Sequence, residues 1–245
     1  MEITNKTVLI TGGGSGIGFE IAQLLSAQNN KVIILGRSKS KLELAVKSIP
    51  NGSFIVSDIT SESDINTLTE QIKKEHPDLS ILINNAASAF AYKLTDTNAY
   101  SNALSEITTN YLAPVRLTEK LLPILTQQSE SAIVNVSSIV AFAPSIKTPT
   151  YSDSKAALHS YTQALRITLA ENTTVKVFEL MPPLVNTDFS EAIGGKENGM
   201  PAIDVAHDLI EGLKNDTFEI YVGQTAAFRE LFFSSPQDAL AVLNS

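Results

Sequence analysis

The sequence predicts an α/β protein in three layers, with a mainly seven-stranded parallel sheet doubly wound between two layers of helices. Three observations carry this. Short β-branched, apolar runs alternate with segments whose apolar residues recur three and four positions apart. Several of those runs are continuously apolar, as strands covered on both faces must be. No internal repeat, low-complexity tract or linker divides the chain, so residues 1–245 read as one domain.

The first strand is Lys6–Thr11 (KTVLIT), and Ile17, Ile21, Leu24 and Leu25 mark the apolar face of the helix after it. Lys31–Gly36 (KVIILG) and Ser53–Asp58 (SFIVSD) are the second and third strands. Ser61, three residues before Asp64, starts a helix with an acid near its positive end, and Ile65, Leu68 and Ile72 form its buried stripe. Leu79–Asn84, Ser131–Ser137 and Val175–Met181 are the next three strands. A helix from about Ile203 to Lys214 leads to a seventh strand at Glu219–Gly223, and Phe228–Leu243 is apolar with helical period. Parallel strands joined this way require right-handed crossovers.

Composition removes several chemistries. With 245 residues and no Cys, disulfides, thiolate catalysis and metal centres that need sulfur are excluded. Lys and Arg number 18 against 26 Asp and Glu, a net charge of −8, which is the wrong sign for a nucleic-acid partner. The apolar stretch at Met1–Lys6 is too short for a signal peptide. The uncharged run Ser131–Ile146 is broken by Asn135, Ser137, Ser138 and Pro144, so no membrane partner is expected. These features predict a soluble, cytoplasmic protein.

Between the first strand and first helix lies Thr11-Gly12-Gly13-Gly14-Ser15-Gly16-Ile17-Gly18. A tight strand-to-helix turn gathers free N–H groups at the positive helix end, which suits a pyrophosphate. A Walker A loop would need Lys and Ser or Thr after the last glycine, where Phe19 and Glu20 stand, and G-x-G-x-x-G finds no match. Further on, Tyr151 and Lys155 are four apart, so a helix puts them on one face. They open the helix after the fifth strand, with Ser138 at that strand's C-terminal end, the edge where open α/β sheets place ligands.

These marks together make the chain resemble the short-chain dehydrogenase/reductase family, in its single-domain branch with T-G-x-x-x-G-x-G and Y-x-x-x-K. Thr11, Gly12, Gly16 and Gly18 match the loop, and Asn84-Asn85-Ala86-Ala87 stands where N-N-A-G is expected. Asn110 follows in the central helix, then Ser138, Tyr151 and Lys155, and Pro182–Thr187 matches P-G-x-V-x-T. The resemblance implies a Rossmann fold and a nicotinamide cofactor held by Thr11, Gly12, Gly14, Ser15, Gly16, Ile17, Gly18, Asn84 and Ala86. Asp58 and Ile59 would meet the adenine, Lys155 the nicotinamide ribose, and Pro182, Val185 and Thr187 the carboxamide. It also implies hydride transfer between nicotinamide and a small carbonyl or alcohol substrate, and a homodimer or homotetramer. The wider Tyr–Lys spacing of related enoyl reductases is not found here. The M-P-P-L-V run at Met181–Val185 further resembles bacterial oxidoreductases of the DltE type.

At the end of the second strand an acid would favour NAD(H). Gly36-Arg37-Ser38 offers none; the Arg37 fork and the Ser38 hydroxyl suit a 2′-phosphate, so NADP(H) is expected over NAD(H). Tyr151 is expected to act as general acid/base. A Lys155 cation ~4 Å away at effective dielectric ~20 contributes ~4 kcal/mol, about three pKa units, enough to bring the phenol near neutrality. Ser138 would donate to the substrate oxygen and Asn110 fix a water in a proton relay. His159 is read as a residue of the helix face. Ala87 and Pro183 depart from the family pattern, each replacing Gly. Residues 188–202 are read as a substrate lid, with Phe189, Ile193 and Met200 its sizeable apolar contacts. Two other functions fit parts of this pattern: a non-catalytic cofactor-binding redox sensor, and a reductase of acyl chains on a carrier protein, which the acidity disfavours.

Overall fold

The computed structural model describes residues 1–96 and 98–245. In chain order the elements are β1 (Thr7–Thr11), α1 (Gly16–Ala27), β2 (Lys31–Gly36), α2 (Lys39–Val46), β3 (Gly52–Val56), α3 (Glu62–Glu75) and β4 (Leu79–Asn84). Then come α4 (Ala99–Ile107), α5 (Ala113–Leu125), β5 (Ser131–Val136), α6 (Pro149–Asn172), β6 (Val175–Met181) and β7 (Val185–Asn186). The chain closes with α7 (Gly195–Asn198), β8 (Met200–Pro201), α8 (Ala202–Lys214), β9 (Glu219–Tyr221), α9 (Thr225–Ser234) and α10 (Pro236–Leu243). Seven strands form one sheet in the order β3-β2-β1-β4-β5-β6-β9, and every pairing is parallel. This is the expected doubly wound architecture.

Strand alternation splits the core in two. Val8, Ile10, Val32, Ile34, Ile81 and Ile83 face one way, against α1, α2 and α8. Leu9, Ile33, Leu35, Leu82, Ile133 and Val177 face the other, against α3 and α5. Each fully buried Leu or Ile contributes ~1.5–3 kcal/mol of transfer free energy. Ser61 caps α3 by accepting from the Asp64 amide, with Glu62 and Asp64 in the first turn.

Element ends differ where long-range bonds decide them. The Lys6 amide donates to the Asn30 side chain at 2.7 Å, so β1 begins one residue late. Asn110 does not sit in an unbroken helix: residues Thr108–Leu112 form a wide π turn between α4 and α5. Residues Asp188–Ile193 form a short helical turn, and β7 pairs with β8 beyond it. The tail helices pack on their own chain, Phe228 and Ala239 covering Ile139 and Ala143. Asn244 then clasps the same segment, accepting from the Ile146 amide at 2.7 Å and donating to the Pro144 carbonyl at 3.1 Å. Among the described residues, no helix is long and apolar enough to cross a membrane.

Candidate active site

From β1 the chain winds towards β2 and β3; from β4 it winds the opposite way. The crevice between the C-terminal ends of β1 and β4 is therefore the switch point of the sheet, where ligands bind in open α/β folds. A cleft of about 600 Å³ opens there, bounded by the glycine loop, the ends of β2 and β3, residues 85–88, and Tyr151 and Lys155. A second cavity of about 520 Å³ adjoins it, and Ile17, Tyr151, Pro182, Thr187 and Phe189 line both.

The glycine loop is shaped by contacts far away in sequence. Gly12 and Gly16 have φ of +67° and +53°, a region costly for residues with a Cβ. A Cβ on Gly18 would stand 2.5 Å from Asn85 Nδ2 and 2.7 Å from the Gly12 oxygen. Asn85 donates its side-chain amide to the Thr11 carbonyl at 2.9 Å. The Thr11 hydroxyl accepts from the amides of Asn85 and Ala86 at 2.9 and 3.0 Å, and donates to the Ile83 carbonyl at 3.3 Å. Ser15, Gly16 and Ile17 thus reach the cleft at the start of α1. Ser15 makes no side-chain cap and no acid occupies the first turn, so the N-terminal N–H groups of α1 are unclaimed by side chains.

Gly12, Ser15, Gly16, Ile17, Arg37, Asp58, Ile59, Ala86, Tyr151, Lys155, Pro182 and Thr187 all line the larger cleft. Val185 lines the second cavity. Six predicted residues, Asn110 among them, line neither cavity. Thr11 and Gly18 shape the loop from within, and Gly14 packs against Leu42. Ser38 is turned to its own helix, accepting from the Lys41 amide at 3.4 Å. Asn84 is buried under the sheet end, donating to Asn135 Oδ1 at 2.8 Å, so Asn85 takes the place on the wall that the sequence reading assigned to Asn84. Asp58 Oδ1 accepts from the amide and hydroxyl of Thr60 at 2.9 and 2.7 Å, and the residue borders the cleft.

Pro149 starts α6, its fixed φ suiting the first helical turn, and one turn of that helix then carries Tyr151 and Lys155. Lys155 is 2% exposed and donates to the Val136 carbonyl at 2.7 Å, with its nitrogen 5.5 Å from the centre of the Tyr151 ring. Burial pushes the Lys155 ammonium down to about 7, against a smaller opposing pull from Glu179. Burial also lifts the Tyr151 phenol above its usual range; a hydrogen bond with Ser138 works the other way, and the Glu106 charge adds to the rise. Burial thus acts against the fall towards neutrality expected from Lys155. Desolvation favours the neutral form of each of the two groups. The phenol remains a proton donor, the form needed to protonate a carbonyl oxygen.

Asn110 is 1% exposed, and both ends of its amide are committed: it accepts from the Ser88 amide at 2.7 Å and donates to the Ser88 carbonyl at 2.8 Å and Ser154 Oγ at 2.9 Å. It braces the loop after β4 against α6. Two buried carboxylates, which local pattern does not reveal, do similar work. Glu106 accepts from the Phe90 amide at 2.8 Å and from the Thr150 hydroxyl, tying the same loop to the residue before Tyr151. Glu179 accepts from the Ser137 hydroxyl and pairs with His159 Nδ1 at 2.9 Å, which holds the imidazole pKa up. His159 lies on the α6 helix face as expected, half-buried and paired with the buried Glu179. Ser137 donates to Glu179 and not to His159, so no nucleophile–base arrangement forms.

Comparison with known proteins agrees with this geometry. The family model described as short chain dehydrogenase matches residues 6–198. An uncharacterized oxidoreductase, DltE of Bacillus subtilis, is 38% identical over 226 residues, covering 90% of this chain and 89% of the relative. An uncharacterized oxidoreductase of Staphylococcus aureus is 33% identical over 192 residues, covering 78% of this chain and 82% of its own. Two solved structures share the fold over 100% of this chain. One is a short chain dehydrogenase from Burkholderia cenocepacia in complex with NADP (TM-score 0.88, 22% identity, 100% of that chain). The other is a short chain dehydrogenase/reductase from Burkholderia phymatum in complex with NAD (TM-score 0.87, 18% identity, 97% of that chain).

Proposed function

Since the chain belongs to the short-chain dehydrogenase family, we propose that it is an NADP(H)-dependent oxidoreductase interconverting a carbonyl compound and its alcohol, with Tyr151 as general acid and base. The observation that carries this reading is the position of Tyr151: it lines both cavities, shares the second with Ser138 and lies beside Lys155. NADPH consumption with a panel of ketones and aldehydes tests it. Tight cofactor binding without turnover of any of them would favour the redox-sensor reading.

The cleft fits a nicotinamide dinucleotide on its own features. The α1 N–H groups are free for a pyrophosphate. The buried Ser57 hydroxyl, at the end of β3 on the cleft wall, has no hydrogen-bond partner among the described residues and can serve a ligand. The NADP-bound and NAD-bound neighbours support the same cofactor class. When bound, the cofactor supplies or accepts the hydride. Ser138 and the Tyr151 hydroxyl would hold the carbonyl oxygen, and Tyr151 would give it the proton. Lys155, sharing the cleft, would hold ribose hydroxyls. Asn110 would fix a water in a proton relay. Residues 188–202 would act as the lid, with Phe189 packed on Tyr151 at a centroid distance of 6.0 Å.

Preference for NADP(H) rests on Arg37, an exposed side chain on the cleft rim with no carboxylate at the end of β2 to oppose it. Arg37→Ala is expected to weaken NADP(H) binding about tenfold and leave NAD(H) unchanged, the low end for a charge-assisted bond because the site is solvated. Titration with both cofactors decides it; tighter NAD(H) binding, unaffected by the substitution, would overturn the preference.

The exposed Leu104, Leu112 and Ile167, on or beside α4, α5 and α6, support a homo-oligomer built on that helical face. Light scattering is expected to give a dimer or tetramer, and Ile167→Asp to shift it towards monomer; a wild-type monomer at micromolar concentration would refute this.

A further inference from the structure

The cavity on the far side of Tyr151 has a chemical character that the cofactor cleft lacks. Its volume of about 520 Å³ is within the range of small-molecule sites. Ser138 and Tyr151 form its reacting end. Beyond them the wall comes from the 139–148 segment, the 182–193 segment and the tail helices, with Ile139, Val140, Leu184, Ile193, Phe228 and Leu231 supplying its apolar surface. Among the described residues no carboxylate lines it, and Lys147, exposed on the surface, is its one cation. Ser145, Thr148, Thr187, Ser190 and Gln224 also line it but are outnumbered by apolar side chains. A polyol or sugar would therefore leave most of its hydroxyl groups unpaired, and an ammonium group would find no carboxylate. An alkyl chain gains free energy along the apolar part of the wall, which is most of it.

We infer that, granted the oxidoreductase reading, the substrate is an uncharged aliphatic carbonyl compound whose chain lies against the tail, and that Ala227 and Leu231 on α9 and Leu243 on α10 set the length accepted. In reduction the carbonyl carbon gains hydride from the reduced nicotinamide, the π pair moves to oxygen, and oxygen takes the Tyr151 proton, leaving a secondary alcohol or, from an aldehyde, a primary one. The tail is a specificity element here because it is anchored to the wall beside Ser138: Phe228 and Ala239 pack on Ile139 and Ala143, and Asn244 bonds residues 144 and 146.

The test uses the full chain, NADPH and straight-chain methyl ketones of increasing length from butanone upward, beside the same chains ending in carboxylate or ammonium. The ratio kcat/KM is expected to rise about fourfold per added methylene until the cavity is full, and to fall for both charged series. Ala227→Phe, which narrows the tail side from a position already exposed, is expected to cost the longest ketone about tenfold more than butanone. A profile flat with length, or charged chains accepted as well as neutral ones, overturns the inference. Calorimetric binding of the same ketones to NADP-loaded Tyr151→Phe protein separates it from the function on which it rests. Affinity rising with length, without turnover by the native protein, sinks the reductase reading and keeps the ligand class. No length dependence in turnover or in binding sinks the ligand class.

Discussion

Tyr151→Phe is expected to lower kcat about a hundred- to ten-thousandfold while NADP(H) binds within about threefold of its native affinity. The substitution deletes one oxygen and keeps the ring, which packs beside Phe189 and Lys155. What is lost is the proton donor shared by the two cavities. Burial holds the phenol pKa above its usual value, so the donor form persists through neutral and mildly alkaline pH. Carbonyl reduction should therefore stay level from about pH 6 to 9 as far as this group is concerned, whereas alcohol oxidation, which needs the phenolate, should climb as pH rises. Steady-state rates in both directions, with cofactor titration, check this. A variant keeping more than about a tenth of native turnover would assign the proton to another group.

Lys155→Met is expected to do two opposite things: abolish most turnover and raise stability. The lysine is buried, and its folded-state pKa, about 7, lies well below the ordinary 10.5 of the unfolded chain. A group with a depressed amine pKa binds its proton more tightly when unfolded, so it destabilises the fold. The penalty is complete below pH about 7 and fades as pH rises towards 10.5. A methionine of similar length fills the space without charge and forgoes the bond to the Val136 carbonyl, which offsets part of the gain. The net effect is on the order of 2 kcal/mol at neutral pH, or about 4–8 °C in Tm for a chain of this size. Thermal unfolding at pH 6 and pH 10 measures it. An equal gain at both pH values would show that packing, and not the buried charge, is responsible.

Both expectations depend on facts that differ in how far they could be read from the chain. The strands were legible because continuous apolar, β-branched runs need cover on both faces, and Leu79–Asn84 and Val175–Met181 have the ends their patterns predict. The Ser61 cap and the Tyr151–Lys155 pair were legible because each is set by spacing within one helical turn. The loop from Thr11 to Gly18 was legible because backbone turning and close approach leave glycine little competition there.

What sequence pattern could not decide was which of two neighbours faces a cavity, and what charge a buried group carries. Asn84 and Asn85 look alike in sequence, but the pairing of Ile10 with Ile83 fixes which amide meets the glycine loop. Ser38 and Arg37 are adjacent, yet the start of α2 claims the hydroxyl and leaves the guanidinium at the cleft. Glu106 and Glu179 read as ordinary acids until the fold buries them beside Thr150, Ser137 and His159. The Tyr151–Lys155 pair shows the limit most clearly. Spacing in the chain determined that the two side chains share a helix face. The tertiary structure decided that both are desolvated, and desolvation depends on how much of the rest of the protein lies around a group, which no local spacing encodes.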